Sequence, residues 1–462
     1  MSYSNGRAVR AGMPARGDRQ LSSNLPLAVT PLSSAAPFRL YLLFTVVTFL
    51  SLPNWFPAIG KLRPTVLLML VLIGLLVANR EGLRGRLDSV ISKRLLLLIG
   101  YVVLSLPFVV WPGSVLRNNF EPFVKSIAFF FFTALIIDSP ARLRVFLGVF
   151  LACQIYRVLD PLRRHIAYGY WGSSTHLGHG EFMDRLSGAP WDIINPNGLG
   201  LVIVTAFIFV YYLMLKSPKL WVRLLGIAII PPLLYALALT SSRSGFIVLV
   251  VAFAMIVYRS KRRMLLVAIA IMSSSFAYQH MAPEQQERYL SIFRDDVRGS
   301  ETAAGRINGW STDIQIWREN PIVGTGIGTS GEARFHTTGK YQVSHNMYTE
   351  TLMETGVIGL AIVIAMLWAI WTTSSKALRA PALGQTRQAS SDDGYMQRLG
   401  LALQAWFVMC AVFSLAQYGL SQYHWYLFGG LSVVFGRLAH QAETDVSAAT
   451  LHQSRGSGLN TR

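Results

Sequence analysis

Hydrophobic residues in this chain fall into long blocks separated by short polar joints, and only two joints are long. Apolar runs of spanning length occur near 38–56, 64–78, 94–112, 122–137, 142–159, 196–215, 220–239, 244–258, 263–279, 347–372, 399–418 and 422–438. A bilayer core requires about 20 apolar residues per helix, so the pattern predicts an all-α, polytopic membrane protein of about twelve spans. The first 37 residues are polar, carry Arg7, Arg10, Arg16 and Arg19, and lack the apolar core of a signal peptide. They are expected to form a disordered basic tail.

The two long joints run about 157–195 and 280–346. Within the second, Ile307, Trp310, Ile314 and Trp317 recur at helical spacing between charges. This predicts an amphipathic helix over 305–320, lying on the membrane surface and stopped by Pro321. Gly324-Thr325-Gly326-Ile327-Gly328 follows as a flexible turn, with a polar stretch beyond it up to His345. The expected organisation is a tail over 1–37, a bundle over 38–239, a catalytic region over 240–372, a loop with the last two helices over 373–438, and a second tail over 439–462.

Composition agrees with the pattern. The chain is 52% hydrophobic and 14% charged, whereas soluble domains carry about 25% charged residues. Lys and Arg concentrate in one set of alternating joints, which the positive-inside rule assigns to the cytoplasm together with both termini. Orientation thus explains much of the net charge of +19 without nucleic acid. It does not explain the arginines in the two long outer joints. Cys153 and Cys410 fall inside predicted spans and read as packing residues.

Three groups of residues suit chemistry on an anionic, lipid-borne substrate. Arg243, within Ser242-Arg243-Ser244-Gly245, stands between two spans at the outer face. It is either a snorkelling interfacial arginine or one facing an anion in a wet cavity. Arg306 follows Gly305 near the start of the amphipathic helix, where a guanidinium and a helix dipole suit phosphate, although a solvated surface charge fits as well. His345 titrates near working pH and suits a general base, or caps the next helix. Asn346 either orients the imidazole or caps that helix. The backbone at Gly326 reads as a hinge or a phosphate contact, and Asn197 sits in a turn at the mouth of a span. His176 and His179 form a weak metal signal without a second matched pair, so no metal or other cofactor is expected.

Ser242–Gly245, Gly305-Arg306 with Trp310, Asn320-Pro-Ile-Val-Gly-x-Gly326, and His345-Asn346 followed nine residues later by Gly356-Val-Ile-Gly359 together resemble the O-antigen ligase/polymerase superfamily of bacterial envelope glycosyltransferases. The resemblance covers about 240–359. It implies a glycan donor on undecaprenyl pyrophosphate and metal-independent, inverting transfer to an acceptor hydroxyl at the periplasmic face of the inner membrane. It also implies Arg243 and Arg306 as pyrophosphate ligands, His345 as base, and Ser242, Ser244, Asn346, Gly326 and Asn197 as neighbours of the substrate. The acceptor is another lipid-linked repeat unit in a polymerase, which would work beside a chain-length regulator, or lipid A-core in a ligase. The long outer joints favour the polymerase. Twelve spans also suit a lipid-linked oligosaccharide flippase, which would be expected to show an internal repeat and short loops.

Overall fold

The computed structural model describes residues 34–178, 181–292, 294, 301–380, 391–417 and 419–457. The expected N-terminal tail lies almost wholly outside them. Each apolar run of the sequence coincides with a helix. In chain order these are α1 (Ala36–Phe49), α2 (Pro64–Ala78), α3 (Val90–Ser105), α4 (Phe120–Ile136), α5 (Pro140–Tyr168), α6 (Pro196–Phe209, prolonged by a wider turn to Leu215), α7 (Leu220–Thr240), α8 (Arg243–Arg259) and α9 (Arg263–Gln279). The second long joint supplies α10 (Pro283–Leu290), α11 (Glu301–Glu319) and α12 (Ser330–Thr338), and α13 (Met347–Arg379), α14 (Ser391–Phe413) and α15 (Tyr423–Ser457) follow.

Among the described residues, seven helical stretches are long and apolar enough to cross a membrane: 90–108, 112–136, 140–168, 196–215, 220–240, 347–379 and 394–413. The helices at 36–49, 64–78 and 263–279 are apolar but shorter. The protein is therefore helical and built to span a bilayer, with fewer full-length spans than the twelve expected from hydrophobicity alone. Lipid accounts for the outward faces of α7 and α9, where Trp221, Leu225, Met264 and Met272 are exposed.

Side-chain oxygens at helix starts explain several boundaries. Ser89, Ser139, Asn195, Ser242 and Asn346 each accept a backbone N–H from the first turn that follows. The interior is aromatic. Tyr41 and Phe44 of α1 pack on Phe132 of α4, and Trp406 of α14 meets Phe150, Phe209 and Phe428. At the opposite end, buried Arg86 and Arg437 donate to the last carbonyls of α4, at Leu135 and at Ala134 and Ile137, where unpaired carbonyls remain. Asp138 supplies charge there, 3.6 Å from Arg86 and 2.8 Å from Arg142.

The two long joints are more ordered than their composition suggests. In the first, α5 runs on to Tyr168, and an antiparallel hairpin follows, β1 (Gly172–Gly178) with β2 (Glu181–Leu186). This hairpin is the one departure from an all-α fold among the described residues. In the second, a helix replaces the polar stretch after the glycines, and the amphipathic stripe is not the expected one. Gly309, Asp313 and Ile316 are the buried positions, while Ile314 stays 36% exposed. The reason is tertiary: α11 packs on α12 and α13, and Arg334 of α12 draws Asp313 inward. The second expected tail, from 439, begins as a continuation of α15.

Candidate active site

The corner between α7 and α8 is tight, and three arginines converge on it. Only Ser241 and Ser242 separate the two helices, and Ser241 has φ +46°. A side chain in that left-handed conformation costs about 1–2 kcal/mol, so the surroundings must hold it. The corner turns its carbonyls toward guanidinium groups. Arg288 Nε donates to the Ser241 carbonyl at 2.9 Å, and Arg185 Nε donates to the Thr240 carbonyl at 2.8 Å. Arg243 opens α8 and donates from Nη1 to Ser291 Oγ at 2.8 Å. All three arginines are buried. They come from three elements: β2, α8 and α10.

Asn197, in the first turn of α6, ties the corner to the bundle. Its Oδ1 accepts from Ser242 Oγ at 3.0 Å and from Arg185 Nη2 at 3.1 Å. Ser242 also caps α8 through Gly245 N–H and lies 3.3 Å, oxygen to oxygen, from Ser244. These three predicted substrate contacts are thus engaged in building the corner. What the corner offers a ligand is positive: guanidinium groups beside the N-terminal end of α8, where the helix dipole favours an anion. Burial holds the Tyr289 hydroxyl well above its usual range, against the pull of the nearby Arg185 and Arg288 charges.

The His345 turn is built differently. Its neighbours are locked, and the imidazole itself is half-buried. Fully buried Asp313 takes Ser344 Oγ at 2.6 Å and Thr349 Oγ1 at 2.7 Å on one oxygen, and Arg334 Nε at 2.8 Å on the other. Asn346 caps α13 by accepting from Tyr348 N at 2.9 Å and Thr349 N at 3.3 Å. The capping role therefore accounts for Asn346. Asp313 and Arg334 are the residues that sequence reasoning missed here, because nothing in their local pattern marks them.

Beneath this turn, the glycine-rich segment docks on α13. Gly328 N and Ser330 N donate to the buried Glu354 carboxylate at 2.7 and 3.0 Å, and Gly419 N donates to Glu350 at 2.7 Å. Thr325 N and Gly326 N bond the Met353 and Glu354 carbonyls at 2.9 Å each. The Gly326 N–H, expected to meet substrate, is thus committed to α13. At Gly356 the helix breaks with φ +65° and ψ −172°, a conformation open essentially to glycine alone. A Cβ there would lie 2.0 Å from the Ile322 carbonyl oxygen. The Gly-x-x-Gly pattern therefore marks a docking joint.

The fold sets both constellations at one end of the bundle. Helices α6, α8 and α13 all begin there, and α14, which packs on all three, ends there. The Ser414 carbonyl closing α14 accepts Met347 N at 2.8 Å. Beside the α6 start lies a cleft of about 480 Å³ lined by Arg157, Asp192, Asn195, Gln417, Gln422 and His424. Its floor includes the Arg157–Asp192 ion pair at 2.8 Å. The Arg306 side chain lies outside the described residues. Its backbone stands in α11, seven residues before Asp313, or about 10 Å along the axis. His176 stacks edge-on against Phe182 across the hairpin, and His179 lies outside the described residues.

No curated protein matches this chain. Residues 232–364, from the second half of α7 into α13, match the family model described as O-antigen ligase. The matched region holds Ser241, Ser242, Arg243, Arg288, Asp313 and the His345 turn, whereas Arg185 and Asn197 lie before it, and the match supports a glycosyltransferase function of the ligase/polymerase kind in general terms. Over these residues the chain is similar to the O-antigen ligase family.

Proposed function

We propose that this protein transfers a glycan from undecaprenyl pyrophosphate to an acceptor hydroxyl at the periplasmic face of the inner membrane, with inversion at the anomeric carbon. The observation that carries the reading is the convergence of Arg185, Arg243 and Arg288 on the α7–α8 corner, at the same end of the bundle as the pinned His345 turn. The diphosphate binds at the corner, with Arg306 as its further ligand by family resemblance. Guanidinium groups neutralise the charge that grows on the leaving pyrophosphate, the kind of electrostatic contribution that is usually the largest single part of a catalysed rate enhancement. His345 takes the proton of the attacking hydroxyl as the new C–O bond forms and the sugar–phosphate bond breaks. A positioned base adds roughly 10²–10⁴-fold. The polar cleft beside α6 receives the donor sugars.

The acceptor is another lipid-linked repeat unit, which makes the protein a polymerase of exopolysaccharide or O-antigen working beside a chain-length regulator. Transfer to lipid A-core would make it a ligase instead. The test is purified protein in lipid with a polyprenyl-pyrophosphate oligosaccharide and each acceptor in turn. A longer lipid-linked glycan is the expected product, absent in His345→Ala and Arg243→Ala. Undiminished transfer by those variants overturns the assigned roles. Movement of the donor across vesicles without any new glycosidic bond makes the protein a transporter.

A further inference from the structure

A second cleft, of about 570 Å³, opens between the segment 113–119 before α4 and helix α12. Its volume is that of a small-ligand site, typically 300–1,000 Å³. The walls hold Arg117, Asn118, Glu332, His336 and Tyr341, and Trp111 stacks on His336 with ring centroids 5.4 Å apart and planes 19° from parallel. Tyr341 is 73% exposed at the lip. We infer that this cleft binds the acceptor saccharide, a deepening that rests on the transfer reaction proposed above.

The lining is the first reason. Sugars present hydroxyls around the ring edge and C–H patches on the faces. Planar amide, guanidinium and carboxylate groups suit the former, and exposed flat rings suit the latter. A lipid tail would call for an apolar trough, and a second phosphate would not call for Glu332. Position is the second reason. Tyr341 lies against Gly331 of α12, and the next residue to it on that wall, Ser330, approaches Ser344 N at 3.5 Å. Tyr341 and His345 are four positions apart in the chain, so their Cα atoms are at most about 14 Å apart, a gap that a short oligosaccharide spans. Rigidity is the third. Trp111 N donates to the Thr325 carbonyl at 3.2 Å, and Gly328 packs against Asn119, so the cleft and the α13 joint share one loop. A saccharide seated here points one end at the base while the donor occupies the cleft beside α6.

The probe is a short, lipid-free oligosaccharide cut from the envelope polysaccharide of the producing cells and labelled at its reducing end. Binding to the purified protein in detergent needs no donor and no chemistry. Wild type is expected to bind. Asn118→Ala, Arg117→Ala and Tyr341→Ala should each weaken binding roughly three- to tenfold, the loss of one hydrogen-bonding or stacking group. Phe182→Ala on the hairpin should leave it unchanged. In transfer assays the cleft variants should raise the acceptor KM with kcat nearly constant. No binding by wild type, equal binding by all variants, or binding only of anionic-lipid vesicles overturns the assignment. If transfer proceeds with an unaltered acceptor KM in the variants, the cleft assignment fails while the reaction stands. If His345→Ala and Arg243→Ala transfer normally, the reaction assignment fails even where the cleft binds sugar.

Discussion

Asp313 should be worth more to catalysis than any residue that does not touch the reacting atoms. It is fully buried and receives Arg334 at 2.8 Å on one oxygen and Ser344 and Thr349 at 2.6 and 2.7 Å on the other. In Asp313→Ala the two hydroxyls lose charge-assisted bonds of about 1.5–3 kcal/mol each. The buried Arg334 is also left without this counter-charge, a loss of about 3–5 kcal/mol. Both effects fall on the turn that carries His345, and a displacement of about 1 Å at a reacting group can lower a rate 10²-fold. The measurements are thermal unfolding in detergent and steady-state transfer from the lipid-linked donor. A double variant, Asp313→Leu with Arg334→Met, separates the two effects. Removing the stranded charge should recover most of the lost stability, while kcat stays about 10²-fold down because Ser344 and Thr349 still lack their acceptor. Wild-type kcat in Asp313→Ala would refute the positioning role. Recovery of kcat together with stability would show that Asp313 acts only through Arg334.

Three other outcomes follow from the same geometry. Gly356→Ala should unfold or badly destabilise the protein, by about 3 kcal/mol or more from strain and overpacking together, read as a fall in the unfolding midpoint; an unchanged midpoint contradicts the joint. Arg288→Met should cut kcat/KM roughly 10²-fold, as loss of a donor aimed at developing charge does, and should also lower stability by about 1–3 kcal/mol because the buried Ser241 carbonyl loses its 2.9 Å donor. Normal kcat/KM would remove Arg288 from the site. For orientation, Thr338→Cys on α12 should react with a membrane-impermeant maleimide on intact spheroplasts. Cys153 and Cys410 are both buried and give little background, so labelling only after permeabilisation would invert the proposed topology.

Hydropathy alone determined the helical class, because removing backbone polar groups from a bilayer leaves helices as the only outlet for long apolar runs. The helix start at Asn346 was legible for a similarly local reason, since its side chain bonds the backbone two and three residues on, whereas the equally local caps at Asn195 and Ser242 had no cap reading in the sequence. Motif spacing marked Arg243, His345 and the glycines at 326, 356 and 359. It did not say that Gly326 and Gly356 serve a docking joint, since that depends on Glu354 and Ile322 arriving from elsewhere in the chain. Nor did it find Arg185, Arg288, Asp313 or Arg334. Each is an ordinary charge in a polar segment until packing buries it, and packing of α11 on α13 turned the inward stripe of that helix by about one residue, so that Gly309, Asp313 and Ile316 are buried while Trp310 and Trp317 stay partly buried. Local sequence thus decided elements and caps, through bonds a few residues long. Only the tertiary structure decided which charges meet, because the cost of leaving a buried charge without partners is felt after distant segments close around it.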